Sequence, residues 1–155
     1  MQIMKKWFLA KIRYKKTDEK GMTRKVTESY LVDALSFTEA EARIIDNVKD
    51  FITGEFNVTA LKWESISELF ASDKECDDKW YKIKVAFITL DEKSGKERKT
   101  YTYMLVQSSD TASAEKRLHE GMKGTLADYR VMTVTETPIM DVYPYVLEPE
   151  NEETR

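Results

Sequence analysis

The chain has 155 residues, a net charge of -3, 41% hydrophobic and 34% charged residues, and a single cysteine. That length suits one ordinary domain or two small halves sharing a core, and the composition is that of a globular chain rather than a disordered one. One thiol excludes an internal disulfide and a thiolate zinc cluster, and no apolar run is long enough to span a bilayer, so the expected location is the cytoplasm of whatever cell makes the chain.

The first predicted element is a strand from Trp7 to Lys15. Phe8, Ala10, Ile12 and Tyr14 alternate as its core face, with Trp7, Leu9, Lys11 and Arg13 on the other. A polar loop holding Asp18-Glu19-Lys20 and Gly21 turns the chain, and a second strand returns from Arg24 to Val32. Ser36-Phe37-Thr38-Glu39 has capping-box spacing, predicting a helix whose apolar positions Phe37, Ala40, Ile44, Ile45, Val48, Phe51 and Ile52 run to a stop at Gly54. A third strand is expected from Phe56 to Lys62, then a short apolar segment, Ile66 to Phe70, that forms a fourth strand or a bend.

The pattern then recurs. Trp80 to Ile88 repeats the first strand, Asp91-Glu92-Lys93 and Gly95 the loop, Lys99 to Val106 the return, and Asp110 caps a helix through Ala114, Leu118 and Met122. Gly121 and Gly124 weaken that helix. Tyr129 to Thr135 and Ile139 to Tyr143 complete the set. With Trp7 placed on Trp80 and one inserted residue, Ser94, 13 of 37 positions are identical, ending in Ala40-Glu41-x-Arg43 against Ala114-Glu115-x-Arg117. The reading is an internal duplication. It gives an α+β fold of two ββαβ(β) units about a pseudo-two-fold, with two antiparallel-rich sheets or one shared sheet carrying two helices. The units are residues 1–70 and 80–143, joined by 71–79 and followed by an acidic, disordered tail at 144–155, all in one compact domain.

The runs Tyr30-Leu-Val-Asp-Ala-Leu-Ser-Phe-Thr-Glu-Ala-Glu-Ala-Arg43, Trp80-Tyr-Lys-Ile-Lys-Val-Ala-Phe87 and Asp91-Glu-Lys-Ser-Gly-Lys96 resemble an uncharacterised domain-of-unknown-function family of gut Bacteroidetes and their phages and prophages. The resemblance spans the chain to about Tyr143. It implies a setting in mobile elements of gut bacteria and carries over no activity, cofactor or site residue.

Charge is segregated by element. Lys5 to Lys25 holds nine basic residues against two acids, Trp80 to Lys99 six against three, and Asp33 to Phe70 eight acids against three bases. Bases interleaved with aromatics on a strand suit nucleic acid or a small anionic nucleotide, whose bases stack on rings while phosphates meet cations. The candidate ligand-binding residues are therefore Trp7, Lys11, Arg13, Arg24, Lys25, Trp80, Lys82, Lys84, Arg98 and Lys99. The competing reading has each Trp closing its own core under lysine stems.

No catalytic motif is present. Adjacent carboxylates in hairpin loops point apart, the sole histidine, His119, lacks a partner for a relay, and Cys76 lies between Glu75 and Asp77, whose charges disfavour a thiolate. The expectation is a non-catalytic binding protein without a cofactor, metal or membrane partner, with a protein-interaction or structural module acting as a homodimer as the alternative.

Overall fold

A computed structural model describes residues 6–144. Residues 1–5 and the acidic tail after Pro144 lie outside the described residues, and the expectation of a disordered tail falls on them. The fold is α+β, with two helices and two four-stranded sheets. The elements are β1 (Lys6–Thr17), β2 (Thr23–Ala34), α1 (Phe37–Val48), β3 (Phe56–Glu64), β4 (Glu68–Phe70), β5 (Lys79–Leu90), β6 (Glu97–Ser108), α2 (Thr111–Gly121), β7 (Asp128–Thr137) and β8 (Ile139–Tyr143). The order ββαββ thus occurs twice along the chain.

The short apolar segments are both strands, and their partners are far away in sequence. One sheet has the order β3-β1-β2-β8 and the other β4-β6-β5-β7. β4 runs parallel to β6, Glu68 opposite Met104 and Phe70 opposite Val106. Among the described residues two compact units result, one comprising 6–64 with 141–144 and the other Ser65–Met140.

Each hairpin is longer than its apolar alternation predicts. β1 and β2 pair continuously from Lys6 opposite Ala34 to Thr17 opposite Thr23, and β5 and β6 from Lys79 opposite Ser108 to Leu90 opposite Glu97. Twelve residues reach about 40 Å. The tips are closed by aspartates: Asp18 Oδ1 accepts the amides of Lys20 and Met22, and Asp91 Oδ1 that of Lys93. Gly21 and Gly95 have φ of 79° and 70°, a region that penalises any Cβ.

In the first unit, α1 lays Ala40, Ile44 and Val48 on Phe8, Ala10, Ile12, Tyr30 and Val32. Ser36 caps it by accepting the Glu39 amide at 3.1 Å. The helix stops at Val48 instead of running to Gly54; Ile52 still reaches the core from the turn beyond, whereas Phe51 is exposed. In the second unit, α2 sets Ala114 and Leu118, followed by Met122, on Tyr81, Ile83, Val85, Met104 and Val106. Its cap is Asp110, which accepts the Ser113 amide at 2.7 Å.

The arginines of the two A-E-x-R runs tie each helix down. Arg43 donates to the backbone carbonyl oxygens of Asp33 and Pro144. Arg117 pairs at 2.7 Å with Asp77, a carboxylate 4% exposed that also accepts the Ser72 hydroxyl. Removing one partner of a buried ion pair costs about 3–5 kcal/mol. Arg117 is partly solvated and Ser72 remains, so Arg117→Ala should lose about 2–3 kcal/mol in urea denaturation, with Asp77→Asn losing less because the guanidinium it leaves unpaired keeps some contact with water.

Gly121 has a packing reason. A Cβ there would lie 2.5 to 2.9 Å from three ring atoms of Phe70, the residue through which β4 packs against the second core. Gly121→Ala gains up to about 1 kcal/mol of helix propensity but must displace that ring, at about 1–3 kcal/mol. The expected outcome is a net loss of stability by chemical denaturation, reversed when Phe70→Leu is added.

Candidate anion-binding faces

Register determines which side chains share a surface. On the side of the first sheet away from α1, successive rows hold Trp7, Asp33 and Glu64; Leu9, Leu31 and Lys62; Lys11, Ser29 and Ala60; Arg13, Thr27 and Asn57; then Lys15 and Lys25. The row pattern changes character half-way. Trp7, Ser29, Leu31 and Asp33 are buried, whereas Lys11, Arg13, Lys15, Lys25 and Thr27 are exposed.

The matching side of the second sheet holds Trp80, Gln107 and Thr137; Lys82, Leu105 and Thr135; Lys84, Tyr103 and Thr133; Ala86, Tyr101 and Arg130; then Ile88, Lys99 and Asp128. Trp80 and Leu105 are buried, while Lys99, Tyr101, Arg130, Thr133 and Thr135 are exposed.

Both tryptophans therefore depart from the stacking role expected of them. At 9% and 4% exposure, Trp7 and Trp80 offer no ring to a ligand. They sit on the strand faces opposite the helices, as alternation requires, but those faces are themselves out of water at this end of each hairpin. Stretches of the neighbouring strands carry the signal: Tyr30 to Ala34, apolar but for Asp33, and Met104 to Val106 are buried at every position, the mark of strands covered on both sides.

The remaining eight residues divide by face. Lys11, Arg13 and Lys25 come together on the first sheet, and Lys82, Lys84 and Lys99 on the second. Arg24, opposite Lys16, and Arg98, opposite Thr89, point to the other side of their hairpins. Arg98 lies 3.8 Å from Asp91 across a shallow hollow.

Sequence reasoning missed Lys15 and the loop it faces. β3 pairs with β1 only as far as Tyr14, so Lys15 to Thr17 project past it. Arg13, Tyr14, Lys15 and Lys25, with Thr53, Gly54, Glu55 and Asn57, line a cleft of about 490 Å³ at that step. Three cations face one carboxylate. Lys15 stands directly opposite Lys25, and Lys16 directly opposite Arg24, so like charges are opposed in two consecutive rows. Each such pairing is unfavourable by a few tenths of a kcal/mol to about 1 kcal/mol.

One wall of this cleft is braced by a cluster with no forewarning in the sequence. Tyr14 and Tyr30 both donate their hydroxyls to Oε1 of Glu28, at 2.6 and 3.2 Å, and Tyr143 stacks on Tyr30 at 5.9 Å. Burial, then the hydrogen bond and charge of Glu28, push the Tyr14 phenol up from 10.0 to about 12. Burial and Glu28 raise Tyr30 as well, and burial with Asp141 takes Tyr143 to about 12. Phenols held protonated this firmly donate hydrogen bonds and are not nucleophiles near neutrality.

His119 packs on the Tyr129 ring, with Nδ1 2.8 Å from the hydroxyl and Nε2 3.5 Å from Glu115. Cys76 is exposed in the segment before β5. Among the described residues no group of three or more His, Cys, Asp and Glu side chains could hold a metal ion, and no helix is long and apolar enough to cross a membrane.

The tyrosine cluster sets an alkaline limit. Because its phenols titrate higher folded than unfolded, their contribution is complete below about pH 10 and is lost as pH rises through about 12. Ultraviolet titration of tyrosinate should show Glu28→Gln returning Tyr14 and Tyr30 part of the way to the ordinary value, burial supplying the remainder.

No curated protein matches the chain at a significant level. A family model does, over residues 6–145, and its description is a domain of unknown function, DUF4494. Spanning nearly all of the sequence, that match means the chain belongs to the DUF4494 family.

Proposed function

We propose that the protein is a non-catalytic binding protein for phosphate-bearing ligands, nucleic acid or a small anionic nucleotide, held by the basic outer halves of its hairpins. The observation that carries this is the opposed pairing of Lys15 with Lys25 beside Arg13 in one cleft that holds a single carboxylate, Glu55. An anion drawn into the cleft offsets the repulsion and meets Asn57 and the Thr53–Glu55 loop as hydrogen-bonding partners. The surroundings are phenols held neutral and a lone cleft carboxylate, which suits holding a ligand more than transforming it.

Belonging to a phage or another mobile element of gut Bacteroidetes, with counter-defence by sequestering a host signal nucleotide as its purpose, is the setting that the sequence resemblance adds to this reading. A protein-interaction or structural role as a homo-oligomer is the second reading. It is favoured by Trp63, 55% exposed on the outer strand β3.

Twelve-nucleotide single strands and mononucleotides should bind with strong salt dependence. Lys15→Gln with Lys25→Gln should weaken oligonucleotide binding and reduce the log–log salt slope by about 1.4, roughly 0.7 for each phosphate no longer neutralised. Absence of salt-sensitive binding, together with no co-purifying nucleotide in native mass spectrometry, would sink the reading; a dimer that dissociates on Trp63→Ser would favour the second.

A further inference from the structure

The two outer faces are not chemically alike. Opposite Lys11 and Arg13 the first sheet has Ser29 and Thr27; opposite Lys84 and Ala86 the second has Tyr103 and Tyr101. Nζ of Lys82 sits 4.5 Å from the centre of the Tyr103 ring and Nζ of Lys84 4.6 Å from that of Tyr101. Tyr101 is 50% exposed. Arg130 and Lys99 flank it, Thr133 and Thr135 supply hydroxyls, and Asp128 is the acid of the neighbouring row.

We infer that this face of the second sheet is a stacking surface for unpaired bases, with single-stranded nucleic acid as its ligand. The inference rests on the phosphate-binding reading and narrows it. Tyr101 and Tyr103 are two residues apart on one strand, so their rings spring from points about 7 Å apart. That is roughly twice the 3.4 Å rise per nucleotide of a stacked strand. Two neighbouring bases can engage both rings only when they are splayed from each other, which a duplex forbids and a single strand allows. The lysines complete the surface. An ammonium held over a ring by a cation–π contact at the surface needs only a small movement to meet the phosphate of a base that stacks there. Charge complementarity selects the polyanion, and ring spacing selects its single-stranded form.

The test is anisotropy with oligo(dT) of twelve nucleotides, an abasic strand of the same length and charge, and the corresponding duplex. The full-length protein is expected to prefer oligo(dT) to the abasic strand by on the order of 10-fold for each ring engaged, and to bind the duplex no better than the abasic strand. Tyr101→Ser should remove about 10-fold of the oligo(dT) affinity and leave both the abasic affinity and the salt slope unchanged. Tyr101→Phe should retain wild-type binding. Equal affinity of the wild-type protein for oligo(dT) and the abasic strand overturns the stacking surface and leaves phosphate binding standing; this comparison needs no variant to fold. Binding of neither strand overturns both readings. Wild-type preference that survives Tyr101→Ser and Tyr103→Ser together overturns the assignment to this face.

Discussion

Burial of both strand faces at one end of each long hairpin is the constraint on which the rest depends. In the first unit Phe8, Tyr30 and Val32 face the helix while Trp7 and Leu31 face the other way, and all five are buried. Each such side chain contributes about 1.5–3 kcal/mol relative to exposure. Two like-charge pairs at the far end, each costing at most about 1 kcal/mol, are small against that anchoring. A hairpin held this firmly at its root can carry a cationic tip that would not survive in a free-standing ribbon. Stability and surface charge are thus separated along the same two strands.

The local grammar of the chain was legible because it depends on near neighbours. Asp18 and Asp91 turn the hairpins through amides two to four residues away, and Ser36 and Asp110 cap helices through amides three residues away. What β4 and β8 pair with was not legible. Ile66 to Phe70 looks the same whether it joins the strands before it or β6, and that choice belongs to contacts tens of residues distant. The α1 boundary was missed for a related reason: Ile52 contributes to the core from a turn, so its apolar period continues after the helical backbone has stopped.

The candidate site was half legible. Charge segregation located the basic hairpin halves, and lysines 11, 82 and 84 were placed on the outward faces correctly by alternation. Pairing them with tryptophan was an inference along the strand, where Trp7 and Trp80 are the conspicuous aromatics. Stacking partners are chosen across strands, and only register reveals that Lys84 stands opposite Tyr103 and Lys11 opposite Ser29. Lys15 entered the site for a reason no composition could supply, the early end of β3 pairing at Tyr14.

The helix-facing sides of the two hairpins differ in chemistry as well. In the first unit, Glu28 lies between the hydroxyls of Tyr14 and Tyr30; in the second, the corresponding strand pair presents Phe87, Thr102 and Met104. There Phe87 tilts on Tyr129, and Phe87, Thr102, Met104 and Met122 border a hollow of about 240 Å³. A polar brace has an apolar counterpart on an equivalent frame. A carboxylate satisfied by two phenols rigidifies its strands because moving any member strands the others, whereas thioether and aromatic carbons accept shifts at little cost. The first hairpin thus has a hydrogen-bonded brace on the side of its helix, and the second has mainly van der Waals packing there. Two hairpins of equal length and register therefore differ in chemistry on both of their faces, because neither the turn that closes a hairpin nor the cap of the helix laid on it dictates the side chains between them.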